Sequence, residues 1–318
     1  LIAESRQAAE QRLTALWQPV FFHVLENIPI QLPAISAANR SKILVIWIHM
    51  TELVTGEARQ RLRQLALDLE FDRTAGSMLG NHRMRDRLIA TVALGRLQSN
   101  LFWGELAALV RDPHPVLSLL AVRSLLQIDP KRAAPILMYE MTFREDWPIR
   151  NVVAALSEID TAALAPDILS SLRMAREESL PRLLRVAEMI DSDDLWTLLI
   201  GLLDAHQPSE ILIAALKATR DPRNLDMVRA LVAHPDWPVR AQVAATLGRL
   251  GLAEDYELLK SMLNNTQWWV RYRAATALVS IPAIPRPQLI TLCENLEDHF
   301  ASDILKQALA ESAKRRLA

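Results

Sequence analysis

Along this chain apolar residues return every three or four positions in helix-length blocks, and the blocks themselves return about every thirty residues. The stretch "HPDWPVR", His234 to Arg240, is echoed by "REDWPIR", Arg144 to Arg150. Val239, the first apolar residue after "DWP", anchors a block with Val243, Ala244, Leu247 and Leu250 on one helical face. Comparable blocks start at Asp86, Val116, Ile149, Leu180, Ser209, Val239 and Val270, at spacings of 30, 33, 31, 29, 30 and 31. Asp86 and Ser209 are not apolar, so the regular period carries the set rather than each match alone.

Each period predicts two helices. The second carries the apolar block, with small alanines at its centre that let neighbours approach closely. The first is shorter, as in "LDMVRALVAH" or "DYELLKSML". Pro115, Pro148, Pro208 and Pro238 fall at the junctions, where a missing N–H costs nothing in the first turn of a helix. Asp146 and Asp236 precede helices and are expected N-caps. Gly95 and Gly248 stand near helix ends. A helical pair of this size cannot bury its apolar face alone, so the pairs must stack.

The remaining segments read as ends. Residues 1–28 predict an amphipathic helix, with Leu13, Leu16, Trp17, Val20, Phe21, Val24 and Leu25 on one face. Residues 37–54 and 57–70 are expected helices, and 71–82, "FDRTAGSMLGNH", an irregular insertion. Two more helices follow Pro285, ending in the basic "AKRRLA" as a polar cap. The domain reading is therefore divergent N-terminal helices at 1–82, a repeat array at 83–281, and a C-terminal cap at 282–318.

The units "HPDWPVRAQVAATLGRLG" and "TQWWVRYRAATALVSI" resemble short HEAT repeats of about thirty residues, with Asp, then Val-Arg, then Ala-Ala and Leu. The resemblance covers residues 83–281, and 1–82 more loosely. It implies an all-α fold, an α-α superhelix or solenoid built as a right-handed stack of helical hairpins. It also implies a protein-binding scaffold, the common role of such arrays. Deoxyhypusine hydroxylases of this type bind iron through His-Glu pairs. None of His23, His49, His82, His114, His206, His234 and His299 precedes a Glu, so that activity is excluded. Phycobilin lyases share the repeat without a short signature to match. HEAT-like alkylpurine DNA glycosylases bind DNA on a basic concave face, which turns attention to charge.

Formal net charge is −1, so nothing global draws the chain to nucleic acid or a membrane. There are 8 Gly against 17 Pro, which argues against dinucleotide-binding and β-rich folds. The single Cys293 rules out an intramolecular disulfide and a cysteine metal cluster. The longest apolar run, Ile43–Ile48, is far short of a membrane span. A start at Leu-Ile followed by a charged helix allows a membrane anchor upstream. A bacterial scaffold in the cytoplasm, at the inner face of the membrane if so tethered, is the corresponding expectation; a processing boundary is the plainer one.

The charge is unevenly placed. The seven predicted second helices carry 13 Lys and Arg against four acids, whereas the six segments between them carry ten basic and twenty acidic residues. In a HEAT solenoid the second helices line the concave face, so that face is expected to be Arg-rich. Candidate partner-binding residues are Arg87, Arg123, Arg150, Arg182, Arg185, Lys217, Arg240, Arg249, Arg271 and Arg273, joined by Trp237 and Trp268. Arginine suits bidentate contacts with an anionic protein segment. The same arginines could instead bond carbonyls or acids of neighbouring repeats. Trp147, Trp237 and Trp268 occupy equivalent positions, either in the seam between repeats or facing a partner. Trp17, Trp47, Trp103 and Trp196 fall in apolar patterns and are expected in the core.

No catalytic residues, metal ligands or cofactor are assigned. His114 and His234 read as exposed loop residues and Cys293 as a small buried one. The sequence reading is a non-enzymatic adaptor that binds an acidic protein partner along the Arg-rich face. The alternative is a nucleic-acid-binding protein of the DNA-repair glycosylase type, and a phycobilin-lyase-like enzyme stands third.

Overall fold

The structure, a computed structural model, describes residues 2–317. It is all-α, with no strand among the described residues. Four helices open the chain: α1 (Ile2–Leu25), α2 (Arg40–Glu52), α3 (Gly56–Asp68) and α4 (Phe71–Leu79). Then come α5 (Met84–Leu97), α6 (Trp103–Leu109), α7 (Pro115–Ile128), α8 (Pro130–Phe143) and α9 (Ile149–Leu156). The next six are α10 (Ala165–Met174), α11 (Leu180–Ala187), α12 (Asp193–Leu202), α13 (Ser209–Ala218), α14 (Leu225–Ala230) and α15 (Trp237–Leu250). The last are α16 (Tyr256–Met262), α17 (Trp268–Ser280), α18 (Arg286–Asn295) and α19 (His299–Leu317). None of these helices is long and apolar enough to cross a membrane. The basic end at 315–318, expected to form a polar cap, lies outside the described side chains.

The chain forms two compact units, one of residues 1–140 and 144–164, the other of 141–143 and 165–318. In the first, the second helices stack in order, α5 on α7 and α7 on α9. In the second, α11 stacks on α13, α13 on α15, α15 on α17, and α17 on α19. The first helices pack against the rows, α6 on α7, α10 on α11, and α16 on α17; α6 and α16 are the shorter of their pairs, as expected, but α10 is longer than α11. The thirty-residue period is thus the distance from one second helix to the next. Its apolar positions form the core: Val239, Val243, Leu247, Val270, Ala274 and Leu278 are fully buried. Each such Val or Leu contributes roughly 1.5–3 kcal/mol by leaving water.

Residues 71–82 are not an irregular insertion. Phe71, Ala75 and Leu79 recur every four residues and are buried on one face of α4. Gly76 is what hid the helix in the sequence. A β-carbon there would lie 2.0 Å from the Phe102 ring, so the glycine is a seat for that ring and not a break. The two expected aspartate caps are also corrected. Asp146 is turned back to Arg144, 2.6 Å away, and α9 begins after Pro148. Asp236 does stand at the N-cap of α15, but its side chain makes no cap bond and accepts instead from the Ser209 hydroxyl of α13.

Two glycines set how closely the second helices approach. A β-carbon on Gly95 of α5 would lie 2.7 Å from Ser124 Cα of α7. One on Gly248 of α15 would lie 2.6 Å from Ala277 Cα of α17. Backbone meets backbone at both places, so no flexible side chain can yield. The same closeness lets hydroxyls bond across the seam. Ser124 Oγ donates to Thr91 O at 2.7 Å, and Thr246 Oγ1 to Leu216 O at 3.0 Å. Gly248→Val is therefore expected to lower stability by about 1–3 kcal/mol or more through overpacking. Gly201→Ala, where a β-carbon meets nothing within 4 Å, should raise it by roughly 0.5–1 kcal/mol through helix propensity. Urea unfolding of the two variants checks both signs.

Candidate binding surface

Of the twelve candidate residues, Arg87, Arg123 and Arg150 lie in the first unit and the other nine in the second. The structure ties most of their guanidinium groups into the fold. In the first unit Arg87 Nη2 stands 2.6 Å from Asp112 Oδ2, joining α5 to the loop before α7. Arg123 of α7 grips Glu158, beyond the end of α9, with two parallel bonds, its Nε 3.0 Å from Oε2. Arg150 alone of the three is exposed and bonds no other described residue.

In the second unit Arg249 serves the end of a neighbouring helix, where the last carbonyls lack an intrahelical donor. Arg249 Nη2 reaches from α15 to Leu216 O at 3.1 Å, Lys217 O at 3.3 Å and Thr219 O at 2.6 Å, closing the C-terminus of α13. Its pKa is lowered by burial and by the charge of Arg220, yet it remains a cation at any ordinary pH. Arg240 Nη1 donates to His234 O and Pro235 O, both at 2.7 Å, and fixes the turn into α15. Arg271 pairs with Asp298 at 3.2 Å, and Arg185 with Glu188 at 2.6 Å. Arg182 is half-buried on α11. Lys217 is half-buried and Arg273 exposed, and neither side chain pairs with another described residue.

The three equivalent tryptophans part company. Trp147 is 1% exposed, and its indole N–H donates to Ser118 Oγ at 2.8 Å, inside the seam. Trp237 is 38% exposed and Trp268 45%. Trp268 stacks on Tyr272, centroids 5.2 Å apart and planes within 8°. Trp269, 52% exposed, stands edge-on to both, at 4.8 Å from Trp268 and 6.2 Å from Tyr272. On α19, which packs against α17, Phe300 is 72% exposed. The first turns of three successively packed helices, α15, α17 and α19, thus each present an aromatic ring to solvent. Trp269, Tyr272 and Phe300 were missed from sequence. The signal was there for Tyr272, which stands four residues after Trp268, the spacing that stacks side chains on a helix.

The remaining expectations divide. Cys293 is buried, and burial pushes its thiol pKa up. His114 is exposed, but His234 is not: it is buried, and its Nδ1 accepts from the Asp236 N–H at 3.1 Å, shaping the "HPDWP" turn. Trp17, Trp47 and Trp103 are core, while Trp196 is half-buried under the Arg223 guanidinium, 4.3 Å from its ring.

Asp112 provides a titration of this scaffold. Burial acts to raise its pKa, but the His114 N–H at 2.9 Å and Arg87 outweigh burial and hold the carboxyl below the ordinary aspartate range. A depressed pKa means the stabilisation is complete above the unfolded-state value and is lost as pH falls through the folded one. Asp112→Asn should therefore be less stable than the wild type at pH 7, with the gap closing as pH falls below the ordinary aspartate value. Thermal melts across that range read the convergence.

Residues 198–279 match the family model described as HEAT repeats. That stretch runs from α12 through α17 and contains the exposed tryptophans. A crystal structure described as an engineered protein of the Northeast Structural Genomics Consortium is 14% identical, over 91% of this chain and 88% of that one, with a TM-score of 0.36. No curated protein matches the chain. The stacked second helices and the thirty-residue period make this an all-α array of helical repeats, and the segment 198–279 within it matches HEAT repeats.

Proposed function

We propose that the protein is a non-enzymatic scaffold that holds an acidic segment of a partner protein on the second helices of its second unit. HEAT repeats commonly serve as protein-interaction scaffolds, and the fold is typically non-catalytic. The observation that carries the reading is the aromatic row on the first turns of α15, α17 and α19. Monomeric proteins rarely leave large rings clustered in water, and interface hot spots are enriched in Trp, Tyr and Arg. Five tryptophan, tyrosine and phenylalanine rings are exposed or half-exposed along it, with Arg273 beside Tyr272 in sequence and its guanidinium uncommitted.

This reading narrows the twelve candidates. Trp237 and Trp268 supply apolar contact, and Arg273 and Lys217 supply charge that no described acid neutralises. Arg150 has the same freedom in the first unit. Arg87, Arg123, Arg185, Arg240, Arg249 and Arg271 contribute by holding the helices that display the others. A bound acidic segment would compete with their existing partners, so their removal would act through folding.

The double variant Trp268→Ala/Trp269→Ala tests the proposal. With the partner captured from the native host and then purified, affinity should fall by about tenfold or more, the loss of one or two interface hot spots. The melting temperature should fall only modestly, since both rings are about half exposed and touch chiefly each other and Tyr272. Undiminished affinity would overturn the assignment. Single-stranded DNA or RNA bound instead, with affinity falling steeply as salt rises, would replace it with the nucleic-acid reading.

A further inference from the structure

The first unit contains a second feature, independent of the aromatic row. A cavity of about 480 Å³ opens beside α3, α5 and α7. It falls within the roughly 300–1,000 Å³ of small-molecule sites and is too small for a folded partner. Four arginines line it, Arg59, Arg63, Arg96 and Arg123, against two acids, Glu52 and Glu158. The acids are already spent. Glu52 takes Arg96 at 2.7 Å, and Glu158 takes Arg123. The uncompensated charge of the cavity therefore belongs to Arg59 and Arg63.

These two side chains are held in a way that presents their forks. They stand four apart on α3 and so share a face. Arg63 Nε donates to Leu97 O, the last residue of α5, at 2.8 Å. Arg59 Nε donates to Val54 O at 2.9 Å, in the turn before α3. Each guanidinium is thus anchored through one nitrogen, and neither uses its two terminal nitrogens on another described residue. Arg249 shows the contrasting use, since its terminal nitrogen is itself committed to carbonyls. Two anchored guanidinium groups lining one cavity offer donors to a tetrahedral oxyanion, with two positive charges to match two negative ones. Trp47 and Ile159 add apolar lining beside them.

We infer that this cavity binds a phosphate dianion, free or as the monoester of a small organic molecule, through the terminal nitrogens of Arg59 and Arg63. A monocarboxylate supplies half the charge and one fewer oxygen, and binds less well.

Isothermal titration of the full chain with inorganic phosphate, phenyl phosphate and phenylacetate tests the inference. One site per chain is expected, with phenylacetate weakest. Phenyl phosphate binding about tenfold tighter than inorganic phosphate identifies a monoester as the ligand, and equal binding identifies the free anion; both support the site. Arg59→Gln, a change at an exposed position, should weaken binding by about tenfold, and Arg59→Gln/Arg63→Gln should abolish it. Arg59→Lys keeps the charge but removes the fork, and should fall between wild type and Arg59→Gln. Arg150→Gln, on α9 and outside the cavity lining, should bind as wild type does. No binding of either phosphate at millimolar concentration overturns the inference. So does binding that survives in Arg59→Gln with the fold intact by circular dichroism.

Discussion

The close approach of one second helix to the next is the constraint on which the rest of this protein depends. It is written as Gly-Arg-Leu, once at Gly95–Leu97 and once at Gly248–Leu250. The glycine lets the following helix come to backbone contact, at Ser124 in one unit and Ala277 in the other. The arginine then faces the preceding helix, whose last carbonyls lack donors. Arg96 Nη1 takes the carbonyl of Ile48 and the hydroxyl of Thr51, 2.8 Å away, at the end of α2. Arg249 takes three oxygens at the end of α13. Of the two leucines, Leu97 is fully buried and Leu250 half-buried. Three adjacent residues therefore join a helix to both of its neighbours. A cation at a helix C-terminus is further favoured by the macrodipole, by about 0.3–1 kcal/mol at an exposed site.

The same device is used at other seams. Arg61 closes the end of α1 through Val24 O and Leu25 O, and Arg220 closes α11 through Glu188 O. Arg144 does so after α6, bonding Val110 O and Asp112 O. Between α14 and the turn before α16 the device becomes an ion pair. Arg229 Nε meets the buried Asp255 at 2.7 Å, and Asp255 in turn accepts from the Leu252 N–H. Arginine suits these positions because it is always charged and its planar group can serve several oxygens at once. An Arg-rich second-helix surface in a nearly neutral chain is thus largely a consequence of stacking. What it leaves over is informative: Arg83, Arg85, Arg150, Lys217 and Arg273, a row of rings and, on α3, the forks of Arg59 and Arg63.

The repeat itself was legible because its apolar positions recur with the helical period and the helices recur with the repeat. The second helices expected at 239–250 and 270–281 are α15 and α17, displaced by at most two residues. Residues 71–82 misled because a glycine and several polar residues resemble a loop in one dimension, while Phe71, Ala75 and Leu79 form a buried stripe in three. The binding residues were harder. Composition shows that a face is basic, but whether an arginine meets a ligand or a carbonyl depends on the residue thirty positions away. Arg249 and Arg273 look alike in sequence; one is committed to three carbonyls and the other is uncommitted. Likewise Trp147 and Trp237 sit in nearly identical heptapeptides. Only Trp147 has Ser118, 29 residues back, to receive its N–H.

The central claim is that the basic stripe is mostly a set of joints between helices. Replacing Arg96, Arg249, Arg150 and Arg273 by Gln, one at a time, and measuring urea unfolding tests it most directly. Losses of about 1 kcal/mol or more are predicted for Arg96→Gln and Arg249→Gln, since each leaves several helix-end acceptors without a charged donor. Changes within about 0.5 kcal/mol are predicted for Arg150→Gln and Arg273→Gln, as for ordinary surface substitutions. Equal, small effects at all four positions would contradict the account and return the whole stripe to the role of a binding surface.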